Sequence, residues 1–361
     1  MKTQVSFTQE RDENMTSSGI IPRRRRQWIP YELHLAHEYC YFLHDECARL
    51  LVEYEEVEAH TVSVTFADKH KAENFENLAK EGAIEAMRAT GYAEEARKVI
   101  LNTIKMAMVS DSLHHLYEAL QCMEKRKFVV AFNLLRKPLM DSLIYLSWML
   151  ADENAFYQAF SSGDPDLLTN KKIGNIRREI LADALAQTAV KGVLSSETIY
   201  NLLFTSTEPD GLFQLFQHAV HLITVGRPEI QTTPENFNFI FKSPFEDDIY
   251  DHAYAALPII LLYLSHVVLE LFDRMKSMEK GAKQGFAVRT ILGFRMLGPE
   301  KEIKEVQGAL TEALSPNIQC ERCSHQFVAT RYNAVRALLT ESFRCSKCRC
   351  VNHLPLSYLF G

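Results

Sequence analysis

Apolar side chains recur at intervals of three and four residues along most of the chain, a spacing that places them on one face of an α-helix. In the segment 31–57 these positions are Leu33, Ala36, Cys40, Leu43, Cys47, Leu50, Leu51 and Tyr54. The segment 67–124 is rich in Glu, Lys, Ala, Leu and Met, which favour helices. Further helices are predicted near 171–190, 195–205, 210–224, 250–276 and 299–314. No alternating strand pattern interrupts them before the tail, so we predict a mainly α fold, an irregular multi-helix bundle.

Two segments are apolar on nearly every side and are therefore predicted to lie inside the bundle. The first spans 125–153 and contains Pro138, whose missing N–H group should kink a helix. The second, Ala253–Phe272, is nearly as long as a membrane span. It contains His266 and Glu270, which favours a buried central helix over a transmembrane one.

Composition agrees with a large helical body and places basic charge near both ends of the chain. The 361 residues are 47% hydrophobic and carry a net charge of -6, which excludes a protein whose whole surface binds nucleic acid. Against this acidic background the basic run Arg23–Arg26 lies near the start, and the segment from 320 onward has six basic and two acidic residues. Negatively charged partners are therefore expected at these two regions.

Four of the eight cysteines form two Cys-x2-Cys pairs near the end of the sequence. The pairs are Cys320 with Cys323 and Cys345 with Cys348. Four thiolates in two tight turns are the ligand set of a closed tetrahedral Zn²⁺ site, which stabilises structure and leaves no position for a catalytic water. Three further side chains are alternative ligands: His325, Cys350 and His353. Because the two symmetric pairs already satisfy Zn²⁺, Cys350 is interpreted as a spare thiol packed near the site.

This spacing resembles that of a zinc ribbon, a small module that would cover residues 316–361. Zinc ribbons commonly bind nucleic acid or hold a protein partner, and the resemblance implies one of these roles. The basic residues available for nucleic acid are Arg23, Arg24, Arg25, Arg26, Arg322, Arg344, Lys347 and Arg349. The interleaved aromatic residues Phe327, Tyr332, Phe343 and Tyr358 either stack on bases or form the core of the module.

Pro and Gly residues mark the boundaries of four predicted parts of the chain. Residues 1–29 are predicted to form a flexible basic arm, 30–297 the helical body, 298–315 a connector helix and 316–361 the zinc ribbon. The start of the chain lacks the apolar core of a signal peptide, and the paired cysteines fit a reducing compartment. We therefore expect a cytoplasmic protein without a membrane partner, in which any homo-oligomer would form through the helical body.

A second group of potential metal ligands lies in the first predicted helix: His34, His37, Cys40, His44 and Cys47. The last four share one helical face. A single straight helix cannot close a tetrahedral site, because only residues about one turn apart approach each other, so a second helix carrying His114 and His115 would have to complete it. The simpler interpretation assigns these residues to the core.

The run EALQCMEKRKFVVAFNLLRKPLMDSLIYLSWML, Glu118–Leu150, resembles the helix pair of HEPN-like proteins, which recur in bacterial abortive-infection and toxin systems. The resemblance implies a helical ribonuclease, whose catalytic groups would be sought among His114, His115, Arg136, Asp141 and His221. The family's Arg-then-His pattern does not occur: Asp141 and Ser142 follow Arg136 where the His would stand. An ion pair between Arg136 and Asp141 is therefore predicted.

The longest non-helical stretch, 226–245, is predicted to be a loop over the body, where a binding cleft could lie.

Motifs of nucleotide-binding proteins, zinc proteases and α/β-hydrolases are absent from the sequence. The leading hypothesis is therefore a cytoplasmic, zinc-binding helical protein that is either non-enzymatic or carries an enzymatic activity without a recognisable motif. It would recognise nucleic acid or a partner protein through its ribbon, as a component of a bacterial defence system. The alternative is an HEPN-like ribonuclease or toxin whose active site lies in the helical body.

Overall fold

The computed structural model describes residues 17–223 and 247–354. The α-helices in these residues are α1 His34–Glu56, α2 Lys69–Ala79, α3 Ala83–Ala89, α4 Ala93–Glu124, α5 Phe128–Arg136, α6 Leu143–Ala151, α7 Glu153–Ser161, α8 Asn170–Ile173, α9 Arg177–Ala186, α10 Ser196–Phe204, α11 Leu212–Val220, α12 Asp248–Met275, α13 Lys280–Arg295, α14 Glu300–Leu314 and α15 Arg331–Thr340. Short 3₁₀ helices span Tyr31–Leu33, Pro165–Leu168 and Ala189–Gly192, and the strands are β1 Ser342–Arg344 and β2 Val351–His353. The predicted mainly α, multi-helix fold is confirmed.

The centre of the molecule is α12, the apolar segment that also has the length of a membrane span. Its 28 residues include an 18-residue window with a mean hydropathy of 2.0, yet 83% of that window is buried within the fold. Helix α1 packs along it, and α6 and α13 cover other sides. Tyr263, Leu269 and Phe272 are fully buried. This burial favours a core helix, because the apolar surface is already removed from water.

Helix α1 lies against α12, α4 and α13, so most of its circumference is buried. The predicted apolar face is confirmed, since Cys40, Leu43 and Leu50 lie in the core. Two polar residues of α1, His37 and Glu38, are also fully buried. A buried carboxylate or imidazole needs hydrogen-bond partners, and other parts of the chain provide them.

The predicted kink at Pro138 is a π-helical turn, Lys137–Ser142, between α5 and α6. Such a turn closes hydrogen bonds between residues five apart and accommodates a proline that has no N–H group to donate. The predicted ion pair of Arg136 with Asp141 is not found among the described residues. The Asp141 carboxylate instead accepts a hydrogen bond from Asn170 Nδ2 at 3.1 Å.

Residues 17–29 belong to the predicted flexible arm, but in the structure they pack on the helical body. The Glu38 carboxylate accepts hydrogen bonds from Ser17 Oγ at 2.9 Å and from Ser18 N and Oγ at 2.6 and 2.7 Å. Arg25 forms a bidentate ion pair with Glu124 of α4, at 2.8 and 2.6 Å. Glu38 and Glu124 hold the segment in place, because these buried carboxylates would lose their hydrogen-bond donors if the segment detached. Residues 1–16 lie outside the described residues.

The predicted connector, α14, buries its apolar stripe between α13 and α15. Helix α15 lies in the span between the two cysteine pairs and packs on α13 of the body. Arg289 of α13 is buried there and donates from Nε to Leu338 O at 2.8 Å. It also forms ion pairs with Glu46 of α1 at 3.0 Å and with Glu341 at 3.1 Å. The cysteine-rich tail is thus docked on the body.

Two further contacts tighten this docking. The backbone of Gly293 in α13 approaches both α1 and α15, since a Cβ placed there would lie 3.0 Å from Tyr39 Cε2 and 3.2 Å from Leu339 Cδ1. Arg336 of α15 donates from Nη1 to Ser18 O at 3.1 Å. The tail therefore touches the body and the N-terminal segment at once.

Candidate metal centre

The two cysteine pairs lie in two turns with the same backbone pattern. In the first, Cys320 N–H donates to His325 O at 2.8 Å and Ser324 N–H donates to Cys320 O at 2.8 Å. In the second, Cys345 N–H donates to Cys350 O at 2.9 Å and Arg349 N–H donates to Cys345 O at 3.0 Å. The fourth residue after the leading cysteine has a positive φ in both turns: Ser324 at 52° in the first and Arg349 at 64° in the second. A repeated turn is what a site with two equivalent Cys-x2-Cys pairs requires.

The turns bring four sulfur atoms together. The Sγ atoms of Cys320, Cys323, Cys345 and Cys348 all lie within 4.8 Å of one another. The Cys320–Cys348 and Cys323–Cys345 Sγ distances are 3.5 and 3.6 Å. A tetrahedron with metal–sulfur bonds of about 2.3 Å has edges of about 3.8 Å. The cluster is therefore at metal-binding distance, with ligands that suit a soft or borderline ion.

Of the three alternative ligands, only Cys350 lies against this cluster. Its Sγ atom is 3.3 Å from Cys320 Sγ and 3.4 Å from Cys348 Sγ. His325 and His353 are exposed, and neither belongs to a group of potential metal ligands in the described chain. The fifth sulfur is thus adjacent to the four-sulfur set without being part of it.

The pKa values of the thiols differ across the cluster. Burial alone would raise the pKa of Cys320, but hydrogen bonds from the Cys350 thiol and from the N–H groups of Cys323 and Arg322 outweigh it and lower the pKa to about 5. A backbone hydrogen bond from Cys350 is the main cause that lowers the pKa of Cys348. These hydrogen bonds favour the deprotonated form of Cys320, the form in which a thiol binds metal, whereas hydrogen bonds with Cys320 and Cys348 raise the pKa of Cys350 to about 11.

Side chains between the two turns form a small core. Phe327 and Phe343 are buried and pack edge to face, with ring centroids 5.2 Å apart. Buried Asn333 of α15 donates from Nδ2 to Val328 O and Arg344 O, each at 3.2 Å. These two phenylalanines therefore stabilise the module itself and are not exposed for base stacking. Asn333 was missed by sequence reasoning, because an Asn inside a helical segment carries no signal of two distant carbonyl partners.

The eight basic residues singled out in the sequence fall into two groups. Arg25 and Arg26 are held internally, Arg25 by Glu124 and Arg26 by hydrogen bonds to Ile21 O and His34 Nδ1. The other six are exposed and have no ion pair within the described ranges: Arg23, Arg24, Arg322, Arg344, Lys347 and Arg349. Four of these six lie on the two cysteine turns or directly beside them: Arg322, Arg344, Lys347 and Arg349. Exposed basic residues therefore accompany both turns of the cysteine cluster.

The potential metal ligands of α1 are not a metal site in the structure. His37 is fully buried, with Nδ1 2.5 Å from Tyr254 Oη and Nε2 3.4 Å from Glu124 Oε1. Burial raises the pKa of both Cys40 and Cys47 far above the usual value of a thiol. His37, Cys40 and Cys47 belong to the core, as the simpler interpretation predicted, whereas His44 is half-buried and its Nδ1 lies 2.8 Å from Asp45 Oδ1.

The potential catalytic residues do not converge in the part of the chain that the structure describes. No hydrogen bond or ion pair joins any two of His114, His115, Arg136 and Asp141; His115 Nδ1 contacts the backbone oxygen of Asp111, one turn earlier in α4, at 2.8 Å. His221 directly follows α11. The predicted loop 226–245 lies outside the described residues.

Comparison of the chain with protein-family models, with curated proteins and with solved structures finds no match. No family match supports the HEPN-like resemblance of Glu118–Leu150, so the ribonuclease and defence hypotheses stay predictions from sequence. The cysteine cluster is the feature of the molecule from which a function is best inferred.

Proposed function

We propose that Cys320, Cys323, Cys345 and Cys348 hold a structural Zn²⁺ ion and that the surface around it binds the phosphate backbone of nucleic acid. The observation that carries the metal assignment is the convergence of four sulfur atoms within 4.8 Å. Four thiolates complete a tetrahedral zinc site and leave no position for water. The ion would therefore stabilise the two turns and would take no part in catalysis.

Unpaired surface charge supports the choice of nucleic acid as the partner. Arg322, Arg344, Lys347 and Arg349 are exposed, and no described carboxylate neutralises them. A solvent-facing group of cations on an otherwise acidic protein suits a polyanion. Since Phe327 and Phe343 are buried, contact with phosphates is favoured over stacking on bases. Binding should thus tolerate many sequences and weaken steeply with salt.

The metal is tested by elemental analysis of the purified full chain. We expect about one zinc per chain, lost in the double variant Cys320→Ser with Cys345→Ser and kept in Cys122→Ser, whose thiol lies on α4. Purified protein without any bound metal would refute the assignment.

Nucleic-acid binding is tested by fluorescence anisotropy with labelled 20-nucleotide RNA and 20-base-pair DNA. If four cations each neutralise one phosphate, log Kd for duplex DNA should rise with log salt with a slope of about 3 to 4. The variant Arg344→Glu with Lys347→Glu should weaken binding at least 30-fold. Lys171→Glu with Lys172→Glu makes the same charge change on exposed residues of α8 and should leave the affinity within a factor of three. Equal loss in both variants, or no binding at low salt, would favour a protein partner for this surface.

A further inference from the structure

The metal centre has more sulfur atoms than a zinc ion can bind. Cys320, Cys348 and Cys350 form a near-equilateral triangle of Sγ atoms, with sides of 3.5, 3.3 and 3.4 Å. A structural Zn²⁺ ion takes four ligands, and the four-sulfur cluster already supplies them without Cys350. One thiol is therefore left over, in contact with two of the proposed zinc ligands.

Local contacts hold this fifth thiol in place. Asn352 is buried and donates from Nδ2 to Cys350 O at 3.2 Å and to Cys350 Sγ at 3.6 Å. The backbone of Cys350 closes the second turn through Cys345 N–H. Cys350 is half-buried, whereas the cysteines of α1 are fully enclosed in the core. Solvent therefore has access to a thiol that is fixed beside the metal centre.

We propose, on the premise of the zinc site above, that Cys350 is an oxidation site through which hydroperoxides release the metal. In the first step the Cys350 sulfur attacks one oxygen of hydrogen peroxide, the O–O bond breaks, and Cys350 becomes a sulfenic acid while its proton leaves in one molecule of water. In the second step the Cys320 thiolate leaves the metal, attacks the Cys350 sulfur and displaces hydroxide, which forms a disulfide. Two thiols lose two electrons in total, and peroxide accepts both.

Cys320 is the expected partner because its sulfur is the closest and lies on the opposite turn. A disulfide needs an S–S distance of about 2.05 Å, so the two sulfurs must approach each other by about 1.3 Å from their present separation. Once Cys320 is consumed, three thiolates remain for Zn²⁺, and the closed tetrahedral set is lost. Oxidation at Cys350 is therefore converted directly into metal release.

The test treats the zinc-loaded full chain with hydrogen peroxide and follows released Zn²⁺ with a chromogenic chelator. We expect Cys350→Ser to keep one zinc per chain and to release it at least ten times more slowly than the unchanged protein. Serine is the suitable replacement because its hydroxyl can accept the hydrogen bond from Asn352. The matched control, Cys122→Ser, also removes one half-buried thiol and should release zinc at the unchanged rate. Peptide mapping should find a Cys320–Cys350 disulfide that reductant reverses.

Each other outcome contradicts a specific step. Zinc release from Cys350→Ser at the unchanged rate would overturn the role of Cys350. A Cys350→Ser protein purified without zinc would make Cys350 a ligand and not a spare thiol. A Cys348–Cys350 disulfide would overturn the assignment of Cys320. If the unchanged protein holds no metal, the zinc site itself fails, and this inference fails with it.

Discussion

The helical body and the cysteine-rich tail are stabilised in different ways. The body surrounds α12, whose apolar window is 83% buried, and its stability comes from burial of apolar surface. The tail has a core of little more than Phe327, Phe343 and one face of α15, which is small for a unit of about 40 residues. Docking on α13 adds buried surface, and the metal proposed for the four converging sulfurs would add the rest of the stability that the small core lacks. The two regions should therefore respond differently to metal removal and to cavity formation.

Metal removal is expected to give the largest effect. Zinc binding contributes on the order of 10 kcal/mol to the folding of small zinc modules. In the variant Cys320→Ser with Cys345→Ser, we expect hydrogen exchange to accelerate more than 100-fold in 318–327 and 342–353, while α12 stays protected. Helix α15 should keep part of its protection, because it packs on α13. An equal loss of hydrogen-exchange protection in α12 and in the two cysteine turns would show that the two regions share one source of stability.

Phe132→Ala should destabilise the body without affecting the metal. Phe132 is fully buried and packs edge to face on Phe216 at a centroid distance of 6.3 Å. Its truncation leaves a cavity and should lower the free energy of unfolding by about 3 to 5 kcal/mol, measured by urea denaturation. Val130→Ala lies in the same helix at an exposed position and serves as the control. A loss of zinc in Phe132→Ala would contradict the separation of the two regions.

Arg289→Met tests the junction between the regions. It removes the ion pairs to Glu46 and Glu341 and the hydrogen bond to Leu338 O, and we expect a loss of about 3 kcal/mol because buried charges lose their partner. Hydrogen exchange should increase in α15 with the zinc content unchanged. Arg295→Met, which breaks only partly exposed ion pairs, should cost less than about 1 kcal/mol. Similar losses in both variants would show that Arg289 does not anchor the tail.

Acid should weaken the contact between the N-terminal segment and the body. Burial would raise the pKa of Glu124, but hydrogen bonds from His37, Arg25 and Tyr41 outweigh it and lower the pKa from 4.5 to about 2. A carboxyl group with a lowered folded-state pKa stabilises the fold fully above its unfolded-state pKa and loses that contribution as the pH falls. Stability should therefore decrease between about pH 4.5 and 2. The decrease should be shallower in Glu124→Gln, measured by urea denaturation at each pH; an identical profile would exclude this carboxylate as its source.

Arg136→Ala is expected to have the smallest effect on stability. Arg136 makes no hydrogen bond or ion pair among the described residues, and its Nε atom is buried without a partner. Its removal should change the free energy of unfolding by no more than about 0.5 kcal/mol. The same variant tests the ribonuclease alternative, since RNA cleavage by the unchanged protein that disappears in Arg136→Ala would support an active site in the body. Absence of cleavage by the unchanged protein would argue against it.

The sequence predicted the features that depend on local spacing and missed those that depend on distant partners. The apolar repeat of α1 and the two Cys-x2-Cys pairs were recognised because neighbouring residues determine helix faces and tight turns. The attachment of residues 17–29 to the body was not recognised, because Ser17 and Ser18 donate to Glu38 only after the chain has folded back. The docking of α15 through Arg289 was missed for the same reason. A hydrogen bond between residues nearly 50 positions apart, such as Arg289 and Leu338, produces no periodic pattern in the sequence.

The position of α12 in the chain also has a consequence for synthesis of the protein. A helix with a mean hydropathy of 2.0 would be a target for aggregation or for membrane insertion if it emerged from the ribosome without a place to pack. Helix α13 follows it, but its partners α1, α4 and α6 precede it in the chain, so most of the surface that receives it has already been synthesised. We expect that moving α12 ahead of them by circular permutation would lower the soluble yield even if the final fold were unchanged.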